Sequence, residues 1–280
     1  MKNNVISRYL SQEIFDAVSK DFKFLIDRII QSGFEYDLQI RDDYVNLYYK
    51  GNSLSRIEYK KRKKLYEIKI NSKFITNLSV REKFKPIKEN DYLLFLLSKK
   101  QLHPFFSLKN LTAMGKNIKK VQFQEELVFE QMLLTDNAER DDLIIIDRQV
   151  ADRDSSTKMD LLSLKGNSAG KYQFCVLEVK LGNNPELKND VFTQLKGYVE
   201  RITENFQQYK ECYEKNVLQK QELGLLPDGL KINIVKGVLG LVVVGGYSGL
   251  AKKSIRELKT RHPHIKVLHI KNKINFNKVQ

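Results

Sequence analysis

The segment Tyr172–Asn184, YQFCVLEVKLGNN, limits the possible folds of this chain more than any other stretch. Successive side chains of a strand point to opposite faces of a sheet. One face of this segment is apolar throughout: Cys175, Leu177, Val179 and Leu181. The other face changes from apolar to charged: Phe174, Val176, Glu178 and Lys180. Because burying a carboxylate and an ammonium without partners is costly, we expect a buried strand whose charged end reaches solvent or binds something specific.

The length and composition indicate a folded, water-soluble class of protein. A chain of 280 residues can form two domains or one large elaborated domain, and 41% hydrophobic residues argues against extensive disorder. No apolar segment is long enough to cross a bilayer, and the N-terminus lacks the apolar core of a signal peptide. We therefore expect a cytoplasmic protein with no membrane partner.

The charge balance favours a polyanionic partner. The chain contains 49 Lys and Arg against 34 Asp and Glu, which gives a formal charge of +15. Such a charge attracts phosphate-rich polymers, although a generally lysine-rich proteome would produce the same excess. Two cysteines are too few for a disulfide framework, and the four histidines show no zinc-ligand spacing with them. A transition-metal site with Cys and His ligands is therefore not expected.

The first part of the chain, residues 1–105, predicts an α+β domain. An amphipathic helix is expected from Ser11, which can cap it, to Gly33. Four short strands follow in an expected antiparallel meander: FEYDLQIR, DYVNLYYKG, SLSRIEY and KLYEIKI. NDYLLFLLSKK is expected to be helical, and residues 106–120 are expected to be a linker.

Residues 121–280 predict a second domain of the α/β class. A helix, FQEELVFEQMLL, precedes three strands: DDLIIIDRQV, KMDLLSL and YQFCVLEVKL. A long helix then spans DVFTQLKGYVERITENFQQYKECYEKN, followed by the strand KGVLGLVVVGG, another helix and the strand KVLHI. This order is typical of a central mixed sheet flanked by helices.

An acid on the middle strand of this group is expected to meet Glu178. Asp160 begins the apolar run MDLLSL, and pairing of this strand with the next would place Asp160 beside Glu178. Two adjacent carboxylates repel unless a divalent cation lies between them, and Mg²⁺ prefers such hard oxygen ligands. Lys180 could then orient or deprotonate a metal-bound water that attacks a phosphodiester.

These residues resemble the signature of the PD-(D/E)XK nuclease superfamily. The matching positions are Asp160, the triplet Glu178-Val179-Lys180, and Gln194 and Tyr198 within QLKGY. The last pair is similar to the QxxxY element of the RecB-like and resolvase-like branch. The resemblance covers about residues 120–270, and Met159 replaces the proline for which the motif is named.

The resemblance implies a restriction endonuclease-like core, of order α-β-β-β-α-β, in a Mg²⁺- or Mn²⁺-dependent nuclease. Asp160 and Glu178 would hold the metal together with the backbone carbonyl of Val179. Lys180 would position the attacking water and stabilise charge on the phosphate. Replacing Asp160 or Lys180 with Ala is accordingly expected to abolish cleavage and to leave folding largely intact.

The remaining site residues come from the two helices of this core. Gln194 would order the scissile phosphate or its surroundings, and Tyr198 would line the cleft. Arg201 lies on the same helical face, at i+7 from Gln194, and is expected to contact phosphate. The first core helix would supply Glu126 as a further acid, with Glu130 as the rival position.

A basic turn between two predicted strands is a second candidate for nucleic-acid binding. It contains Lys60, Lys61, Arg62, Lys63 and Lys64. A charge run at a hairpin tip is also commonly just solvated, so both interpretations stay open. The nearby triplet Glu67-Ile68-Lys69 imitates the catalytic motif, but no helix with Gln and Tyr at i and i+4 follows it.

DNA is the expected substrate, because defence, restriction and repair are the usual settings of the superfamily. A homodimer is compatible with the sequence. Two alternatives have the same fold: a catalytically silent protein that binds nucleic acid or another partner, and an RNA-directed nuclease. A third alternative is a basic scaffold in which the resemblance is a coincidence and Glu178 and Lys180 form a solvated ion pair.

Overall fold

A computed structural model describes residues 5–121, 124–138, 140–151, 158–167 and 170–272. Contacts divide the chain into an N-terminal unit, residues 1–139 with 210–230, and a C-terminal unit, residues 140–209 with 231–280. The sequence-based division, with domains at 1–105 and 121–280, differs from this one. The helix expected to begin the second domain groups with the N-terminal unit, as does most of the helix Phe206–Glu222.

The N-terminal unit begins with helices and continues with a sheet. Its helices are α1 (Gln12–Asp21), α2 (Lys23–Gln31), α3 (Leu78–Phe84), α4 (Lys99–Phe105), α5 (Leu108–Val121) and α6 (Glu125–Asp136). Its strands are β1 (Tyr36–Ile40), β2 (Val45–Tyr49), β3 (Asn52–Lys60), β4 (Leu65–Asn71), β5 (Ile87–Glu89) and β6 (Tyr92–Leu97). The antiparallel sheet has the order β1-β2-β3-β4-β6-β5, and its first four strands form the predicted meander.

One face of this sheet carries the hydrophobic core of the unit. Ile57, Ile68 and Phe95 lie opposite one another on β3, β4 and β6 and are at most 1% exposed. Because side chains alternate along each strand, the neighbouring row on the other face contains Arg56 and Lys69. The alternation between apolar and polar residues therefore fixes the register of the strands.

Two predictions about the N-terminal unit are wrong. NDYLLFLLSKK contains the strand β6 instead of a helix, because Leu93 and Phe95 point into the core at a period of two. The predicted linker 106–120 is mostly α5, a helix whose Leu111, Met114 and Ile118 are buried in the same core. Their spacing of three and four residues is that of a buried helical face.

The C-terminal unit contains a five-stranded mixed sheet. Its strands are β7 (Leu143–Val150), β8 (Met159–Gly166), β9 (Lys171–Leu181), β10 (Asn233–Gly245) and β11 (Val267–Ile270). Its helices are α7 (Glu186–Asn189), α8 (Val191–Glu204), the first turn of α9 (Phe206–Glu222) and α10 (Ser248–Arg261). The strand order is β11-β10-β9-β8-β7; β7, β8 and β9 are antiparallel, whereas β10 is parallel to both β9 and β11.

The chain is thus a mixed α/β protein with two sheets in its described part. Each of the two long predicted helices is divided. Phe22 separates α1 from α2, and Asn205, whose amide donates a hydrogen bond to the Arg201 carbonyl, separates α8 from α9. Within the described ranges, the helices are too short or too polar to span a membrane.

Candidate active site

The candidate site lies where β8 and β9 stop pairing with each other. Their antiparallel ladder ends at the pair Leu161–Leu177, and the next residues are Asp160 on β8 and Glu178 on β9. On its other side, β9 continues to pair with β10 as far as Leu181. The two acids therefore follow the last paired rung on adjacent strands, as the sequence predicts, at the point where the sheet opens.

A single ammonium group lies among three carboxylates at this position. Lys180 Nζ is 2.8 Å from Glu178 Oε1, 3.7 Å from Asp160 Oδ2 and 3.1 Å from Glu186 Oε2 on α7. Glu178 is 2% exposed and Lys180 is 5% exposed. With all four groups ionised, the cluster has an excess of negative charge, which favours the binding of a further cation.

Backbone groups of β9 complete the oxygen-rich side of the cluster. Val179 N–H donates a hydrogen bond of 2.9 Å to Asp160 Oδ2, where a backbone carbonyl of β8 would otherwise accept it. The N–H and C=O of one residue in an extended strand point to the same side, so the Val179 carbonyl is directed towards Asp160. This geometry is compatible with the predicted role of Val179 as a backbone ligand.

The donor set fits Mg²⁺ or Mn²⁺. Mg²⁺ in proteins is commonly held by one or two carboxylates, with waters and substrate phosphates completing its shell. Asp160 and Glu178 supply such a pair of hard oxygen donors. No larger group, of three or more His, Cys, Asp or Glu suitably placed around one metal position, occurs among the residues that the structure describes.

Helix α8 packs on the face of the sheet that carries the acids. Gly240 on β10 pairs with Val176, two residues before Glu178 and therefore on the same face. A Cβ at Gly240 would lie 3.0 Å from Val199 Cγ2 and 3.1 Å from Leu195 Cγ. The glycine thus allows α8 to approach the sheet closely on the site face.

The residues of the QxxxY element have different environments. Tyr198 is 6% exposed and belongs to the buried stripe of α8, where its hydroxyl donates a hydrogen bond of 2.9 Å to the Lys158 carbonyl. Gln194 is half-buried, and its Oε1 is buried and accepts no hydrogen bond from the described residues. Arg201 is half-buried in the last turn of α8. Tyr198 therefore anchors the start of β8, two residues before Asp160.

Replacing Tyr198 with Phe tests this anchoring role. Loss of one hydrogen bond should lower the free energy of unfolding by about 0.5–1.5 kcal/mol. Any cleavage activity should fall about ten- to hundredfold, because Asp160 would be held less firmly. Urea unfolding and cleavage rates measure the two effects. Tyr172→Phe, at the opposite end of β9, should leave cleavage unchanged; equal losses in both variants would contradict the anchoring role.

A third acid on the site face was missed in the sequence. Asp147 on β7 is 0% exposed and lies directly opposite Leu162, so it faces the same side of the sheet as Asp160. Its Oδ1 accepts the backbone N–H of Arg148 at 2.7 Å. The signal that could have revealed it is an acid at the end of the apolar run LIII, the same pattern that singled out Glu178.

The predicted acid of the first core helix lies in the other unit. Glu126 is half-buried on α6, and its rival Glu130 is 1% exposed on the same helix. Contacts assign α6 to the N-terminal unit, where Gln131 donates a hydrogen bond to the Phe34 carbonyl. A catalytic role for Glu126 stays a prediction.

Carboxylates of the N-terminal unit partly neutralise the basic turn. Lys60 Nζ lies 2.6 Å from Glu58 Oε1 and 3.2 Å from Glu67 Oε1, and Lys61 Nζ lies 3.4 Å from Glu13 Oε2. Burial raises the pKa of Glu58, but the hydrogen bond and charge of Lys60, with Arg56, outweigh burial and lower it overall. Three exposed cations remain at the turn: Arg62, Lys63 and Lys64.

Close packing at Gly182 connects the end of β9 to α10. A Cβ at Gly182, two residues beyond Lys180, would lie 2.6 Å from the Gly246 carbonyl oxygen and 2.7 Å from Ala251 Cβ. Such distances are too short for carbon contacts, so only a residue without a side chain fits. The same close approach places the first turn of α10 beside the charged end of β9.

Gly182→Ala should therefore be strongly destabilising for a change that adds one methyl group. We expect the free energy of unfolding to fall by about 1–3 kcal/mol, because the strand end and α10 must separate. Gly197→Ala on α8 is a matched control, since nothing lies within 4 Å of the added Cβ. That change should stabilise the helix by up to about 1 kcal/mol. Urea unfolding of both variants measures the effect, and a Gly182→Ala variant as stable as the wild type would contradict the close packing.

Comparisons with known proteins identified no family for this chain. Searches against protein-family models, curated proteins and solved structures gave no match. Function must therefore be inferred from the residues themselves, above all from Asp160, Glu178 and Lys180 at the opening between β8 and β9.

Proposed function

We propose that this chain is a divalent-metal-dependent nuclease that hydrolyses phosphodiester bonds, with DNA as its substrate. The observation that carries the proposal is the cluster of Asp160, Glu178 and Lys180 where β8 and β9 separate. Glu178 and Lys180 are buried and Asp160 is half-buried beside them, and such a charged cluster is costly to maintain in a protein interior unless it has a use. Metal-assisted hydrolysis of a phosphate ester uses both kinds of group.

The arrangement of strands supports the proposal that the C-terminal unit is a restriction endonuclease-like core of the PD-(D/E)XK superfamily. Three antiparallel strands, β7, β8 and β9, are followed by α8 and by the parallel strand β10. Asp160 lies on the second of these strands, and Glu178 and Lys180 lie on the third, which is the order that the resemblance implies. The position of the first core helix is the departure, because α6 groups with the N-terminal unit.

In the proposed mechanism, Asp160, Glu178 and the Val179 carbonyl would hold Mg²⁺ or Mn²⁺. The bound ion would polarise the phosphate and lower the pKa of a coordinated water. Lys180 is oriented by Glu178 and Glu186 and donates hydrogen bonds, so it can hold the attacking oxygen and stabilise charge that develops on the phosphate.

Residues on α8 support this chemistry from the same face of the sheet. Tyr198 fixes the beginning of β8 and thereby the position of Asp160. Gln194 has a buried amide oxygen that accepts no hydrogen bond from the described residues, which suits a contact with ordered water beside the site. Arg201, in the last turn, would contact a neighbouring phosphate.

A substrate panel tests the proposal. The purified chain is incubated with labelled linear duplex, circular duplex and single-stranded DNA and with RNA, with Mg²⁺, with Mn²⁺ or with EDTA. We expect metal-dependent cleavage of DNA, and cleavage of the circle would identify endonuclease action. Cleavage of RNA alone would indicate an RNA-directed nuclease. Binding without cleavage under every condition would refute catalysis and leave a silent nucleic-acid-binding protein.

A further inference from the structure

Helix α10 has one buried face and one strongly basic face. The buried residues are Ala251, Ser254 and Leu258. The opposite face, which we call the α10 basic face, consists of the exposed residues Lys252, Lys253, Arg256 and Lys259. At about 100° per residue, these four cations lie within roughly a third of the helix circumference. The helix therefore presents a concentrated positive surface to solvent.

The only acidic residue of α10 does not neutralise this surface. Glu257 Oε2 lies 3.7 Å from Lys188 Nζ on α7, and Glu257 is half-buried. Among the described residues, no carboxylate forms an ion pair with the four cations of the α10 basic face. The basic turn of the N-terminal unit differs, because Glu13, Glu58 and Glu67 pair with two of its five cations there.

The α10 basic face belongs to a helix that adjoins the candidate site within the C-terminal unit. The first turn of α10 packs on Gly182, two residues after Lys180 on β9. Helix α10 also contacts α7, whose Glu186 holds Lys180 Nζ at 3.1 Å. The α10 basic face is on the side of the helix opposite Ala251, one helix diameter, roughly 10 Å, from this contact. A polymer bound in the site therefore reaches the basic face if it extends this far beyond the reacting phosphate.

The dimensions of the surface suit a nucleic-acid backbone. Lys252 and Lys259 are seven residues apart, which corresponds to about 10.5 Å along a helix. A duplex rises by the same distance over about three base pairs, so several phosphates can lie beside four cations. Long, flexible lysine side chains reach phosphates as point charges without requiring a particular base sequence.

We propose that the α10 basic face binds the phosphate backbone of nucleic acid next to the active site. This inference rests on the proposed nuclease function and names the surface that holds its substrate. This binding is independent of base sequence, since the four cations contact phosphates and not bases. It makes α10, instead of the partly neutralised turn at residues 60–64, the principal electrostatic contact of the chain.

A binding measurement with two charge-matched variants tests the proposal. The first variant replaces Lys252, Lys253, Arg256 and Lys259 with Gln; the control replaces the four lysines of α5, Lys109, Lys116, Lys119 and Lys120, with Gln. Affinity for a labelled 20-base-pair duplex is measured in EDTA over a range of salt concentrations. Each lost phosphate contact reduces the slope of log K against log salt by about 0.9.

For the α10 variant we expect the slope to fall by about 2–4 and the Kd at 0.1 M salt to rise at least about tenfold. The α5 control should stay within about twofold of the wild type. Circular dichroism checks folding, and should the fourfold variant not fold, the single change Arg256→Gln should still lower the slope by about 0.9.

The outcomes separate this inference from the function on which it rests. If the wild type binds and cleaves nucleic acid and the α10 variant binds it equally well, phosphate binding by the α10 basic face is refuted, whereas the proposed nuclease function is supported. If the α5 control weakens binding as much as the α10 variant, overall charge is responsible and the inference fails. A parallel measurement replaces the duplex with vesicles of phosphatidylserine and phosphatidylcholine. If the wild type binds these vesicles but no nucleic acid, both the inference and the proposed nuclease function are refuted.

Discussion

Asp160→Asn is expected to lower the rate of metal-dependent cleavage by at least about a thousandfold. The change removes one negative oxygen donor from the proposed metal site, and the loss of several kcal/mol of transition-state stabilisation corresponds to this factor. Folding should change little, because an amide oxygen can still accept the Val179 N–H bond of 2.9 Å. Cleavage rates at saturating Mg²⁺ or Mn²⁺ and urea unfolding measure the two quantities.

Glu204→Gln serves as the control for Asp160→Asn. Glu204 is exposed at the end of α8, so this variant has the same change of net charge outside the cluster. Its cleavage rate should equal that of the wild type. An Asp160→Asn enzyme that cuts at the wild-type rate would exclude Asp160 as a ligand and refute the proposed site.

Lys180→Met should lower the free energy of unfolding by about 3–5 kcal/mol, as well as abolish cleavage. The substitution keeps an unbranched side chain that is one atom shorter but removes the ammonium 2.8 Å from the Glu178 carboxylate, which is 2% exposed. Leaving a buried charge without its principal counter-ion costs far more than losing an exposed ion pair. Because Lys180 is only 5% exposed, we expect this loss of stability in place of the largely intact folding that the sequence led us to expect for Lys180→Ala.

The double variant Glu178→Gln/Lys180→Met separates stability from catalysis. Removing both charges should recover most of the lost stability, because neither group then has to be desolvated without its partner. Cleavage should remain absent in both variants. Urea unfolding of the wild type, both single variants and the double variant forms a complete cycle. Additive losses would show that Glu178 and Lys180 do not interact, contrary to the geometry.

The sequence predicted the elements of the C-terminal unit well because their patterns are local. Each strand from β7 to β10 contains an apolar run; Asp160 lies at the beginning of this run in β8, and Glu178 lies near its end in β9. Antiparallel pairing places the beginning of one strand beside the end of its neighbour, so the meeting of Asp160 and Glu178 followed from pairing alone. The ion pair between Lys180 and Glu186 did not follow, because Glu186 lies on α7, outside the motif.

The failures in the N-terminal unit have a different physical origin. NDYLLFLLSKK is apolar at nearly every position, so its periodicity does not distinguish a helix from a strand. Pairing of β6 between β4 and β5, a long-range interaction, decided the outcome. Residues 106–120 contain glycine and several lysines, which suggested a linker, but Leu111 and Ile118 supply an apolar face for a buried helix.

Tyr198 shows the limit of helical spacing as a guide to a side chain's role. Gln194, Tyr198 and Arg201 share one side of α8 by their spacing, which suggested a common role in the cleft. Leu195 and Ile202 flank Tyr198 on the buried stripe, and the tyrosine hydroxyl reaches the Lys158 carbonyl instead of solvent. The tyrosine thus contacts the segment that leads into β8.

Metal binding by Asp160 and Glu178 can be measured without turnover by titration calorimetry. Mn²⁺ is titrated into a complex of the chain with a phosphorothioate duplex, which resists cleavage. Titration into the duplex alone is subtracted. We expect saturable, single-site binding to the wild-type complex that is lost in Asp160→Asn and retained in Glu204→Gln. Absence of this binding in the wild type, or its persistence at equal strength in Asp160→Asn, would contradict a metal site between β8 and β9.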